Sequence, residues 1–215
     1  KSDRFYMGTY KTRKRGIGEK FNMNIFVYGA SSNAIDKKYI KACEKLGAEM
    51  ARRSVGLVFG GGAAGAMGAC ARGEKSLNGK ITGVAPSFFN VDGVLFEGCT
   101  DFITTETMRE RKQTMEELSD GFIMAPGGIG TYEEFFEILT LKQLGRHNKP
   151  IAVFNVDGFY DGLIKFLNKG VDECFMNPAS MGLFGVFEDC SELLSYFENY
   201  NAQSMSVDKL KSIIH

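Results

Sequence analysis

Nine residues, Pro126-Gly127-Gly128-Ile129-Gly130-Thr131-Tyr132-Glu133-Glu134, constrain this chain more than any other stretch. The apolar run Gly121-Phe122-Ile123-Met124-Ala125 before them reads as a buried strand, and the segment from Phe135 to Leu141 after them has helical spacing of apolar residues. Strand, glycine turn, helix is an arrangement that points free backbone N–H groups and the positive end of a helix dipole at whatever lies above the turn. An anion such as a phosphate suits that place. Gly127, Gly128 and Gly130 let the backbone come close to a ligand. Thr131 is expected as the helix N-cap, with ligand binding as the other use of its hydroxyl. Glu133 and Glu134 then fall in the first helical turn, where Glu133 reads as dipole compensation on a solvated face. Glu134 shares a face with Glu137. A carboxylate one turn beyond a bound phosphate is repelled by it and is of more use against the ribose and the bond beyond, which singles out Glu134.

The rest of the chain repeats the alternation. A first strand from Ile25 to Tyr28 ends in Gly29-Ala30-Ser31-Ser32-Asn33, a small polar loop where open α/β sheets place ligands, and a helix follows from about Asp36 to Arg53. A second strand, Val55 to Phe59, runs into Gly60-Gly61-Gly62-Ala63-Ala64-Gly65-Ala66-Met67-Gly68 and a helix through Leu77. That turn has no Gly-Lys-Ser/Thr closure, and no acidic residue ends the next strand, Ile81 to Ala85, so it is neither a phosphate loop of the Walker type nor a good dinucleotide fingerprint. The segment from Pro86 to Phe96 reads as a loop holding aromatics (Phe88, Phe89, Phe96) over the site or against a second subunit.

A short strand from Asp101 to Thr105 precedes a helix from Thr107 to Leu118. Met108, Arg111 and Met115 lie on one stripe of it, and a charge on an inward stripe needs a carboxylate or ligand partner. Arg109, Lys112 and Glu116 lie on another face, as solvated pairs. Strands at Ile151–Asn155 and Gly185–Phe187 and helices at Phe159–Lys169 and from Ser191 complete the pattern, with His147 in a polar turn as a solvated loop histidine. The expected fold is α/β: a Rossmann-like, doubly wound, mostly parallel sheet of six to seven strands with helices on both faces.

Composition narrows the function. Lysine plus arginine and aspartate plus glutamate are both 26, which argues against a nucleic-acid binder relying on bulk basic charge. No apolar run approaches a membrane span. Five scattered cysteines without a C-x-x-C read as reduced thiols in a cytoplasmic compartment, and two histidines are too few for a His-rich metal site. Residues 1–22 are basic without an apolar signal region and are expected to be a flexible extension; 23–200 are expected to form one nucleotide-binding domain, and 201–215 a tail or short helix.

The central stretch resembles P-G-G-x-G-T-x-x-E, the signature of the LONELY GUY family of cytokinin-activating phosphoribohydrolases, long labelled lysine decarboxylases. The second turn is similar to the family's G-G-G-x-x-G-x-M-G, which implies Gly61, Gly62, Met67 and Gly68 at the substrate. The Gly29, Ser31 and Ser32 turn resembles the one lining the family's nucleotide pocket. The Arg111 helix resembles M-H-x-R-K through Met108, Arg111 and Lys112, with Arg111 implied as catalytic; Arg109 departs from the usual histidine. The resemblance covers about 23–197. It implies hydrolysis of the N-glycosidic bond of AMP or N6-modified cytokinin riboside monophosphates to free base and ribose 5-phosphate, by Arg111 and Glu134, with no cofactor or metal, in a homodimer or larger homo-oligomer. A non-hydrolytic nucleotide or molybdenum-cofactor carrier on the same fold would need only the glycine turns. Lysine decarboxylation finds no support, since no lysine here announces a Schiff base with pyridoxal phosphate.

Overall fold

The computed structural model describes residues 23–89 and 93–201. The expectations for the leader, for 202–215 and for the middle of the aromatic loop at 90–92 lie outside the described residues. Seven strands form one sheet: β1 (Met23–Tyr28), β2 (Val55–Phe59), β3 (Ile81–Pro86), β4 (Asp101–Thr105), β5 (Gly121–Met124), β6 (Ile151–Phe154) and β7 (Gly185–Phe187). Their spatial order is β4-β3-β2-β1-β5-β6-β7, and every pair of neighbours is parallel. Among the described residues six α-helices cover it: α1 (Lys37–Arg52), α2 (Gly65–Ser76), α3 (Met108–Leu118), α4 (Ile129–Gln143), α5 (Asp161–Asp172) and α6 (Cys190–Glu198).

Alternation along the strands divides the interior into two cores. In β1, Ile25 and Val27 face one layer, with Leu46 of α1, Ala69 of α2 and Leu193 of α6. Phe26 and Tyr28 face the other, with Met115 of α3, Phe135 and Ile138 of α4 and Leu167 of α5. Both faces are covered, so the central strands are apolar throughout. α1 and α2 pack closely because Gly47 and Gly73 lie where a Cβ would overlap the other helix's backbone, at Cys70 O and Glu44 O respectively.

The chain builds β1 to β4 outward in one direction, then returns through α3 to place β5 on the other side of β1. The switch point therefore lies between β1 and β5, and ligands in open α/β sheets sit outside the carboxyl ends of such strands. Both named loops end there: β1 runs into Gly29, and β5 into Pro126-Gly127.

Three local expectations are corrected. His147 is buried, not solvated: the turn folds back so that Nε2 lies 2.9 Å from Ile138 O and the ring 5.4 Å from that of Phe122. Burial pushes its pKa down to about 4. α4 starts at Ile129 with Gly128 as a bare N-cap, so Thr131 lies inside the helix and caps nothing. For the same reason Glu133 and Glu134 fall beyond the first turn, which holds no acidic residue.

Candidate active site

Three loops converge at the switch point through backbone contacts. Ala30 N donates to Pro126 O at 2.9 Å, and Met67 N to Ala30 O at 3.3 Å. Gly65 N donates to Asn33 Oδ1 at 2.9 Å. Gly29 is buried where the strands separate, and a Cβ there would stand 3.1 Å from that of Ala125 and 3.3 Å from that of Ala66. Ser31 and Ser32 are exposed at the rim, with Ser32 Oγ accepting from Ala34 N at 3.1 Å.

The glycines differ in what their own chain requires. Gly127 has no room for a side chain, since a Cβ would meet Thr131 Oγ1 and Ala30 N. Thr131 is accordingly buried against the turn. Gly128 and Gly130 are exposed, have no positive φ, and have nothing within 4 Å of a Cβ. Nothing described in this chain forces glycine at either position. Both border the N-terminus of α4, whose first N–H groups have no carbonyl partner within the helix.

The second turn is largely committed to the fold. Gly61 takes φ +77° and its carbonyl accepts from Phe96 N at 2.8 Å, while Gly62 bridges to Leu95. Gly68 leaves no space beside Ala63 O. Met67 is half-buried near Gly62. The N-terminal amides of α2 at Gly65 and Met67 are taken by Asn33 and Ala30, whereas among the described residues no such bonds close the start of α4.

α3 carries the cationic side of the site. Thr107 and Glu110 form a capping box that fixes its first turn. Arg111 is 7% exposed, with Nε donating to Val84 O at 3.1 Å and Nη2 lying over Gly60, where a Cβ would overlap it. Its Nη1 stands 3.9 Å from Glu134 Oε1. The inward arginine thus has the carboxylate partner that its stripe demanded. Met115 shares its burial, but Met108, one turn before Arg111, is exposed. Lys112 is not part of a solvated pair within its own helix. It bridges to α4, 2.6 Å from Glu133 and 2.7 Å from Glu137. That bridge, rather than the helix dipole, is the role of Glu133.

Burial pushes the Glu134 carboxyl up to about 7, against the opposing pull of Arg111. It lines a cavity of about 530 Å³ between α3 and α4 with Met108, Arg109, Lys112, Glu116 and Phe26. A group near neutrality beside a cation can exchange a proton with water at physiological pH. The positions that sequence reasoning passed over are Gly60, which seats Arg111, and Tyr28, whose buried hydroxyl has no hydrogen-bond partner among the described residues. Gly60 stood within a run of three glycines and Tyr28 within an apolar strand, so neither carried a distinguishing signal.

A family model described as possible lysine decarboxylase matches residues 67–197. Cytokinin riboside 5′-monophosphate phosphoribohydrolase LOG2 of Arabidopsis thaliana is 35% identical over 82% of this chain and 83% of its own length. LOG1 of the same plant is 34% identical over 91% of this chain and 92% of its own. The probable phosphoribohydrolase LOGL9 of Oryza sativa subsp. japonica is 36% identical over 86% and 82%. Solved molybdenum-cofactor carrier proteins share the fold: that of Chlamydomonas reinhardtii superposes with a TM-score of 0.62 at 20% identity, over 82% of this chain and 95% of that one. The cofactor-binding protein of Rippkaea orientalis gives 0.61 at 18% identity, over 81% and 93%.

Proposed function

The chain belongs to the LONELY GUY family of cytokinin riboside 5′-monophosphate phosphoribohydrolases, and from that membership we propose that it hydrolyses the N-glycosidic bond of nucleoside 5′-monophosphates carrying adenine or an N6-modified adenine. The observation that carries the reading is the Arg111–Glu134 pair, 3.9 Å apart beside the start of α4.

The 5′-phosphate sits at the exposed Gly128 and Gly130, against the free N–H groups of α4. Binding energy taken there, remote from the reacting bond, positions the ribose. Glu134 lies further along α4 and faces the anomeric carbon. As the bond from C1′ to the base nitrogen breaks, positive charge develops on the sugar, and the carboxylate stabilises it. Water adds its oxygen to C1′ and gives a proton to Glu134, which returns it so that the base leaves protonated. Arg111, held by Val84 O and Gly60, fixes Glu134 and keeps enough of it ionised to act as base. In this reading Ser31, Ser32, Met67 and Met108 are the further side chains that contact the substrate. Lys112 acts through Glu133 and Glu137 as a brace between α3 and α4.

The carriers' likeness, at 20% identity or less in the two cases, extends to the fold alone. The protein works in the cytoplasm, which its five unpaired cysteines favour, and as a homodimer, which the exposed Ile129, Phe136 and Phe88 support. Light scattering at the dimer mass tests the assembly. Incubation with AMP and with a prenylated AMP, followed by chromatography, tests the reaction. Free base with ribose 5-phosphate, lost in Glu134→Gln, is the expected result; nucleotide binding without base release by the wild type refutes it.

A further inference from the structure

Tyr28 closes β1 at the switch point, on the face shared with α3 and α4. It is 0% exposed, and its ring meets Phe26 edge-on at 5.1 Å, Phe26 itself lining the Glu134 cavity. Arg111 lies one turn before Met115, and Glu134 one residue before Phe135, both of which are in the Tyr28 core. Tyr160, a second buried tyrosine nearby, donates its O–H to Ala125 O at 2.7 Å. The Tyr28 hydroxyl has no such partner among the described residues. A buried hydroxyl left unmatched is a folding penalty that phenylalanine would avoid. The Glu134 carboxylate, in turn, accepts no hydrogen bond among the described residues, and its ion pair with Arg111 at 3.9 Å is too long to be one.

The Tyr28 donor, buried in the core, and the Glu134 acceptor, half-buried in the cavity that Phe26 also lines, are thus both without a hydrogen-bond partner among the described residues. Burial raises the Tyr28 pKa well above its ordinary value, and the nearby Glu134 charge raises it further, so the phenol keeps its proton and remains a donor. We propose that Tyr28 is a positioning residue of the reaction, whose O–H donates to the Glu134 carboxylate when substrate occupies the site, holding it ionised and aimed at the attacking water. The other charges around Glu134 are Arg111, Lys112, Arg109 and Glu116 on α3 and Glu133 and Glu137 on α4. Those groups belong to the helices, whereas Tyr28 belongs to the sheet.

This inference rests on the hydrolase reading, and the experiment separates the two. Tyr28→Phe is assayed beside wild type for base release from AMP between pH 5 and 9, with thermal unfolding of both proteins. Loss of the donor should lower kcat about 10-fold below neutrality and move its acid limb up by roughly one pH unit. KM should hold, and Tm should not fall. An active wild type with an indistinguishable Tyr28→Phe profile overturns the role of Tyr28 alone. A loss of rate matched by a fall in Tm overturns it too, by making the residue structural. A wild type that releases no base overturns the reading beneath it.

Discussion

Gly60 seats the Arg111 guanidinium: a Cβ at position 60 would overlap Nη2. The carboxyl end of β2 therefore supports the cation that α3 carries, and Arg111 Nε, bound to Val84 O in the carboxyl half of β3, fixes the other edge of the plane. Gly60→Ala should tilt Arg111 away from Glu134 without emptying any core position. A displacement of about 1 Å in such a pair lowers turnover by roughly 10²-fold. The expected result is that loss in kcat with substrate affinity and urea midpoint near wild type; full activity would show that the arginine tolerates another seat.

Glu134→Gln keeps the shape and removes the base. Turnover should fall by about 10²–10⁴-fold, as for loss of a general base, while AMP binding measured by calorimetry persists. In the wild type the carboxyl is raised to about 7 by burial, so kcat/KM should fall with pH below about 7, where the proton stays on. A flat profile from pH 5 to 8 would remove Glu134 from the proton transfer.

Arg111→Ala tests the partner. Arg111 pulls the Glu134 pKa down against burial, so its loss should raise that pKa and move the acid limb to higher pH, together with a sharp drop in rate. Rate and limb both unchanged would make Arg111 a structural cation only.

Much of this was legible in the sequence because its signals are local. Apolar runs ending in glycine turns located each strand, and the burial of Arg111 followed from its place one turn before Met115. What escaped depends on neighbours distant in sequence. His147 looks solvated among Arg146, Asn148 and Lys149, and only the return of the turn onto Ile138 and Phe122 buries it. Glu133 looks like a dipole partner until Lys112, from another helix, reaches it. Thr131 looks like a cap until the helix is seen to begin at Ile129, since a bare glycine N-cap has no side chain to announce it. The contact of Gly60 with Arg111 joins β2 to α3 across the sheet edge, which no spacing encodes.

Glu74 supplies a stability prediction away from the site. It is fully buried in α2, neither carboxylate oxygen has a hydrogen-bond partner among the described residues, and burial raises its pKa to about 8. A folded pKa above the unfolded value means that the native state binds the extra proton. Its contribution to stability is therefore greatest below about pH 4.5 and is lost as pH rises through 8. Glu74→Met, similar in volume and uncharged, removes this dependence. Relative to wild type the variant should gain stability between pH 5 and 8 by about 3 kcal/mol, at 1.36 kcal/mol per pKa unit. Urea unfolding of both proteins at the two pH values measures that difference directly. An equal gap between them at pH 5 and pH 8 would mean that the carboxyl is already ionised or paired in the folded chain.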